Sequence, residues 1–214
     1  MIEAYTGTPG SGKSYHAVYD MMERIRYKHP VITNIPLNLG KLEKKEWINE
    51  TYIFKETSEI NNDNFTEFLK NFSNDLKDKM KWNRVPEDYI YLVIDEAQLI
   101  FNCRDWQAGN RREWTTFFQL HRKYGYHVIL ITQMSKMLDK HMQGLLEYEC
   151  IHRKFSNFGL KGLLVSLLFF SPTMFASVRM WSAMREMIDC KIFRYSSRIA
   201  KCYNTTTDFS KQGN

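Results

Sequence analysis

The chain reads as an α/β domain built on a mainly parallel central sheet with flanking helices. Three features of the sequence carry that reading. Residues 7–14 are Gly-Thr-Pro-Gly-Ser-Gly-Lys-Ser, placed between a short strand pattern at 2–6 and a helical pattern at 15–28. Residues 89–94 form a near-continuous apolar run ending in Asp95-Glu96, the pattern of a strand buried on both faces of a parallel sheet. A third apolar run, 128–131, ends in Thr132-Gln133. A length of 214 residues suffices for one such domain with a substantial core.

The first feature matches the phosphate-binding loop G-x-x-x-x-G-K-[ST] at every fixed position. Gly7, Gly10 and Gly12 let backbone N–H groups turn inward around a polyphosphate. Lys13 reaches the β- and γ-phosphates, and the Ser14 hydroxyl takes a place on Mg²⁺. The following helix adds its positive N-terminal end, and Ala17, Val18, Met21, Met22 and Ile25 give it an apolar face. The predicted nucleotide contacts are therefore Gly7, Thr8, Pro9, Gly10, Ser11, Gly12, Lys13, Ser14 and Tyr15.

The carboxylates after the second strand complete that chemistry. Asp95 is predicted to hold Mg²⁺ together with Ser14, and Glu96 to polarise an attacking water as general base. Polar side chains at the carboxyl end of a parallel strand face the ligand crevice, so Gln133 is predicted to sense the γ-phosphate or orient water, with Thr132 second. That role requires strand 128–131 to lie between the phosphate-loop strand and the Asp95 strand. Among the arginines, Arg122 comes just before the third strand, a position expected near the active edge of the sheet, and is the first choice for a finger acting on a neighbouring copy. Arg111 and Arg112 are read in a Gly-Asn-Arg-Arg turn.

The rest of the chain is read in order. Residues 31–33 form a strand that closes a βαβ-like opening, and 34–84 is a long excursion. Phe65, Phe68, Leu69, Phe72 and Leu76 mark an amphipathic helix within it. Further helices are predicted at 113–124 and 138–147, and a strand at 150–155. The organisation is a core over 1–155 and a small basic C-terminal extension over 156–214, packed on the core. Residues 163–170 are strongly apolar but shorter than the roughly 20 residues a spanning helix needs, so they are read as a buried strand or hairpin.

Charge and cysteine content narrow the partners and the compartment. There are 30 Lys and Arg against 24 Asp and Glu, a mild bias towards anionic partners. Bases dominate the tail: Arg153, Lys154, Lys161, Arg179, Arg185, Lys191, Arg194, Arg198 and Lys201 stand against Glu186 and Asp189. Such a surface suits lipid headgroups or nucleic-acid phosphates. Cys103, Cys150, Cys190 and Cys202 are too scattered for a zinc site or a disulfide framework and read as reduced thiols. The first strand begins at the N-terminus, and no secretion signal is expected before it.

Several short segments recur in an order that resembles a known family. After the phosphate loop come Val31-Ile32-Thr33-Asn34-Ile35-Pro36, Val93-Ile94-Asp95-Glu96, Cys103-Arg104-Asp105-Trp106 and His121-Arg122-Lys123-Tyr124-Gly125. Ile131-Thr132-Gln133 and Leu146-Glu147-Tyr148-Glu149 follow. Over about residues 1–154 this resembles the zonula occludens toxin (Zot) family, the assembly ATPases of filamentous bacteriophages. The tail, with Cys202-Tyr203-Asn204-Thr205, resembles it less closely. The resemblance implies a P-loop ATPase core of FtsK/HerA type, with ATP and Mg²⁺, that powers extrusion of the phage particle and its single-stranded DNA. It implies a ring of identical subunits on the cytoplasmic face of the host inner membrane, meeting phage DNA and coat or assembly proteins. Family members usually add a transmembrane helix and a periplasmic segment after the core, so membrane association is expected through a segment absent from this chain.

The residues alone leave other uses of the same loop open: a small-molecule or nucleotide kinase, or a nucleotide-gated scaffold without significant turnover. The Asp-Glu pair and the lack of an obvious Arg-rich lid weigh against a kinase.

Overall fold

The computed structural model describes residues 1–102, 108–155 and 174–203. The apolar run at 163–170, Cys103 with the segment 103–106, and Asn204-Thr205 lie outside the described residues.

Eight strands form one sheet: β1 (Ile2–Thr6), β2 (Val31–Thr33), β3 (Tyr52–Phe54), β4 (Ile90–Ile94), β5 (Tyr126–Ile131), β6 (Tyr148–Lys154), β7 (Met174–Trp181) and β8 (Glu186–Arg194). Their order is β3-β2-β4-β5-β1-β6-β7-β8. Strands β3 to β6 in that order pair parallel, and β7 and β8 continue the sheet antiparallel. As the sequence predicted, β5 lies between β1 and β4. The expected βαβ opening is looser than a local unit, because β5 and β4 separate β1 from β2.

Helices cover both faces. Helix α1 (Lys13–Arg26) packs Val18, Met21, Met22 and Ile25 on one face, against Tyr5, Val93 and Ile131. The other face carries α4 (Phe65–Lys79), α5 (Ala108–Leu120) and α6 (Lys140–Leu145), and the fully buried Trp114, Phe117, Phe118 and Phe101 fill the space beneath them. Short helices α2 (Ile48–Thr51), α3 (Thr57–Ile60) and α7 (Ser197–Ala200) close the edges. Full burial of β1, β4 and β5 explains their nearly continuous apolar sequence.

Three local expectations change. Arg111 and Arg112 lie within α5, not in a turn, and the Arg111 guanidinium pairs with Asp139 at 3.0 Å. The excursion 34–84 contributes a strand, β3, to the sheet edge. The predicted helix at 138–147 is shorter, since Asp139 caps α6 by accepting from the His141 N–H at 2.8 Å.

Candidate nucleotide site

The phosphate loop leaves the carboxyl end of β1 and turns into α1. Gly7, Gly10 and Gly12 all have positive φ, of 143°, 73° and 94°. A side chain at Gly7 would meet the His152 carbonyl oxygen at 2.5 Å, and one at Gly12 the Phe175 ring at 2.6 Å, so both positions need glycine for space as well as conformation. Helix α1 begins at Gly12 with no side-chain cap and no acid in its first turn, which leaves its N–H groups for an anion. The Gly7 N–H donates to the Gln133 carbonyl at 3.1 Å, tying the loop to the end of β5.

Around this loop the structure gathers most of the predicted residues. Lys13 folds over the loop and donates to the carbonyls of Gly7 at 2.8 Å and Thr8 at 3.2 Å. The Ser14 hydroxyl donates to Asp95 Oδ2 at 3.0 Å, which sets the two predicted Mg²⁺ ligands side by side although 81 positions separate them. Glu96 follows in the left-handed region at φ 49° and ψ 45°, and its N–H donates to Asp95 Oδ1 at 2.9 Å. A glutamate held in that conformation stores strain of the kind that collects at functional sites. Its carboxylate accepts from Gln98. Gln133 stands exposed beside the loop, whereas Thr132 is buried.

The electrostatics fit a polyanion with a divalent cation. Burial lowers the Lys13 pKa, against the pull of Asp95 and Glu96. Burial raises that of Asp95, opposed by the hydrogen bonds from Glu96 and Ser14. Phosphates beside the lysine and a cation beside the carboxylate would each favour the charged form. Ser11 Oγ is buried and lacks a hydrogen-bond partner within the described residues. Two protein oxygens plus phosphate oxygens and water are what Mg²⁺ ordinarily takes.

Two predicted residues are not brought to this place. Arg122 lies at the opposite edge of the sheet, where its guanidinium pairs with Glu147, the residue whose Oε1 accepts from the Ile2 N–H at 3.1 Å. In a parallel sheet a residue just before a strand sits at the amino end, while the loop occupies the carboxyl end. The expected position near the active edge is therefore corrected. The Tyr15 ring turns away from the loop to stack on Phe175, Phe193 and Tyr195, and its hydroxyl donates to the Arg194 carbonyl at 3.1 Å.

Sequence reasoning missed residues that position the site. Asn34, buried at the end of β2, clamps Asp95: its Oδ1 accepts from the Asp95 N–H at 2.7 Å and its Nδ2 donates to the Asp95 carbonyl at 3.0 Å. Its place at the carboxyl end of a buried strand was the available signal, the same one that picked Gln133. His152 and His16 meet behind the loop, Nε2 to Nδ1, at 2.8 Å. A cavity of about 860 Å³ opens beside the loop and reaches along β6, with Gln133, Glu149, Arg153 and Arg185 in its lining. These two arginines, unlike Arg122, share the loop's edge.

The comparisons agree with this geometry. A profile of the family described as "Zonular occludens toxin (Zot)" matches residues 1–208. The chain belongs to the Zot family. Among curated proteins none matches it. Its fold is similar to the N-terminal domain of zonular occludens toxin from Neisseria meningitidis, with a TM-score of 0.52, 19% identity, and coverage of 95% of this chain and 98% of that one. It is also similar to the genome packaging NTPase B204 of Sulfolobus turreted icosahedral virus 2 in complex with ATP-gammaS, with a TM-score of 0.54, 16% identity, and coverage of 90% and 96%. A third similar structure is the pCW3 conjugation coupling protein TcpA with ATPgS, with a TM-score of 0.53, 12% identity, and coverage of 94% of this chain and 64% of that one. This member of the Zot family thus has the α/β fold of P-loop NTPases.

Proposed function

We propose that the chain is an ATP-binding and ATP-hydrolysing motor subunit. The observation that carries this is the 3.0 Å contact of Ser14 Oγ with Asp95 Oδ2 beside a complete phosphate loop, at the carboxyl end of a sheet whose β5 separates the two. The loop N–H groups and Lys13 bind and orient the triphosphate. Ser14 and Asp95 would hold Mg²⁺, which supplies charge neutralisation at the phosphates. Glu96, next to Asp95 in an exposed turn, takes the proton of the attacking water, and Gln133 orients that water from the end of β5.

The finer reading is that hydrolysis drives filamentous phage assembly and extrusion of phage DNA, on the cytoplasmic face of the host inner membrane and within a ring of identical subunits. Family membership and the similarity to a genome packaging NTPase and a conjugation coupling protein support it. Partners would be phage DNA and coat or assembly proteins, with membrane association supplied outside the described residues.

Phosphate release from ATP, measured with and without Mg²⁺ and single-stranded DNA, tests the reading. Mg²⁺-dependent release that single-stranded DNA accelerates is the expected result. Tight ATP binding with no release under any of these conditions would replace the motor with a nucleotide-gated scaffold. Release only when a phosphoryl acceptor is added would indicate a kinase.

A further inference from the structure

A triphosphate in a phosphate loop has a direction. Lys13 and the Ser14–Asp95 pair take its γ end, and the loop N–H groups cradle its α- and β-phosphates. Asp95 stands at the end of β4, and β5 and β4 lie on one side of β1, whereas β6, β7 and β8 lie on the other. With the γ end towards β4, a nucleoside leaves the loop towards β6, β7 and β8. That side abuts the loop, since the Phe175 ring of β7 lies against Gly12.

Strand β8 pairs antiparallel with β7, which pairs antiparallel with β6, so β8 ends at the same edge of the sheet as the loop. Tyr195 is the residue just beyond that end. Its ring stacks on that of Tyr15, with 5.8 Å between centroids and 23° between planes, yet the residue is 49% exposed. Tyr15 covers one face of the ring, and the exposure therefore belongs to the other. A tyrosine kept for packing alone would be buried, as Tyr15 is at 4%.

The position of this ring is set by the loop's own helix. The Tyr15 hydroxyl donates to the Arg194 carbonyl at 3.1 Å and accepts from the Ser196 N–H at 2.7 Å, so it holds the backbone on both sides of Tyr195. Tyr15 directly follows Ser14 in sequence. Phe175 and Phe193 support the Tyr15 ring at 5.6 and 6.0 Å and stack on each other at 5.5 Å. The result is a braced aromatic platform with one open face, on the side of the loop where a base would emerge. A stacked ring selects for a nucleobase without reading its edge.

We infer, on the strength of the nucleotide reading of the loop, that Tyr195 stacks on the base of the bound nucleotide and that Tyr15 is its positioning residue. The departure of the Tyr15 ring from the phosphates then has a use, since the ring carries Tyr195 instead.

Titration calorimetry of the full chain, with Mg²⁺, against the β,γ-methylene analogue of ATP and against inorganic tripolyphosphate separates base from phosphates. The wild-type chain should bind the ATP analogue more tightly than tripolyphosphate. Tyr195→Ala should lower affinity for the analogue by roughly 5- to 100-fold, the worth of a stacked base. Its affinity for tripolyphosphate should not change, which also shows that the variant has folded. Tyr195→Phe should bind both as the wild type does. In Tyr195→Trp, the analogue should quench fluorescence beyond the wild-type change, and tripolyphosphate should not. Unchanged affinity for the analogue in Tyr195→Ala, or an equal loss for tripolyphosphate, would overturn the stacking role. So would a loss in Tyr195→Phe as large as that in Tyr195→Ala, because the ring would then not be the cause. Equal wild-type affinity for analogue and tripolyphosphate would overturn the base site and leave the phosphate loop standing. A wild-type chain that binds neither would overturn the nucleotide reading and the base site together.

Discussion

At the scale of single residues, the site depends on three groups that do different work. Lys13 places charge on the phosphates, so Lys13→Ala should weaken ATP binding by roughly 10- to 100-fold, the range of a lost charge-assisted contact, as titration calorimetry would record. Among the described residues the hydrogen bonds of the Glu96 N–H and carboxylate go to Asp95 and Gln98, not to the phosphate loop. Glu96→Gln should therefore keep ATP affinity and lower turnover by about 10²–10⁴-fold, the usual worth of a positioned base. Turnover at the wild-type rate would remove Glu96 from that role. Gly12 has a steric function: at φ 94°, with the Phe175 ring against it, Gly12→Ala must displace either the ring or the loop. Its melting temperature and its ATP affinity should fall together.

At the scale of elements, α1 and β6 are joined behind the loop by the His16–His152 contact. His152 Nδ1 faces the Cys150 carbonyl at 2.9 Å and so carries the proton, which leaves its Nε2 to accept from His16 Nδ1–H. Protonating His152 would put two donors face to face. Burial, reinforced by Lys191, holds the His16 pKa down to about 4, and burial, reinforced by His16, holds that of His152 down to about 3, from an ordinary 6.5. Glu3 pulls the other way without reversing the shift. Because the unfolded chain takes up these protons first, stability should fall as pH drops below about 6.5 and continue falling to about 4. The loss should be on the order of a few kcal/mol, read from urea midpoints across that window. A flat profile would show that the pair is protonated in the folded state.

At the scale of the whole molecule, the sheet has one edge for nucleotide and another for Arg122. An arginine supplied by a neighbouring copy, Arg122 included, should make the turnover rate per subunit climb with protein concentration, and Arg122→Ala should then abolish the climb. If the rate stays flat and Arg122→Ala is fully active, Arg122 serves only its exposed pair with Glu147, a contact of small energetic value. Part of the basic tail is likewise structural. Arg179 pairs with the buried Glu3 and stacks over Tyr148 at 4.0 Å, and Lys191 lines the polar cavity beneath α1. Those charges are not all available to DNA or lipid.

The local parts of the site were legible because their physics is local. A glycine-rich turn, a lysine and a serine at fixed spacing, and an acid at the end of a doubly buried strand each announce their chemistry within about ten residues. The same pattern was enough to place β5 between β1 and β4. The sequence alone could not say which polar residue from a distant strand would hold Asp95, because Asn34 reaches it only through the pairing of β2 with β4. Nor could it say that Arg122 faces away, since sequence distance from a strand does not give the end of the sheet until strand direction is known. Strand β8 escaped notice because an exposed edge strand lacks a strong apolar pattern, and β7, which lies between it and β6, went unnoticed with it. Their assembly onto β6, and with it the partnership of Arg179 and Glu3 across 176 positions, was decided by the tertiary structure.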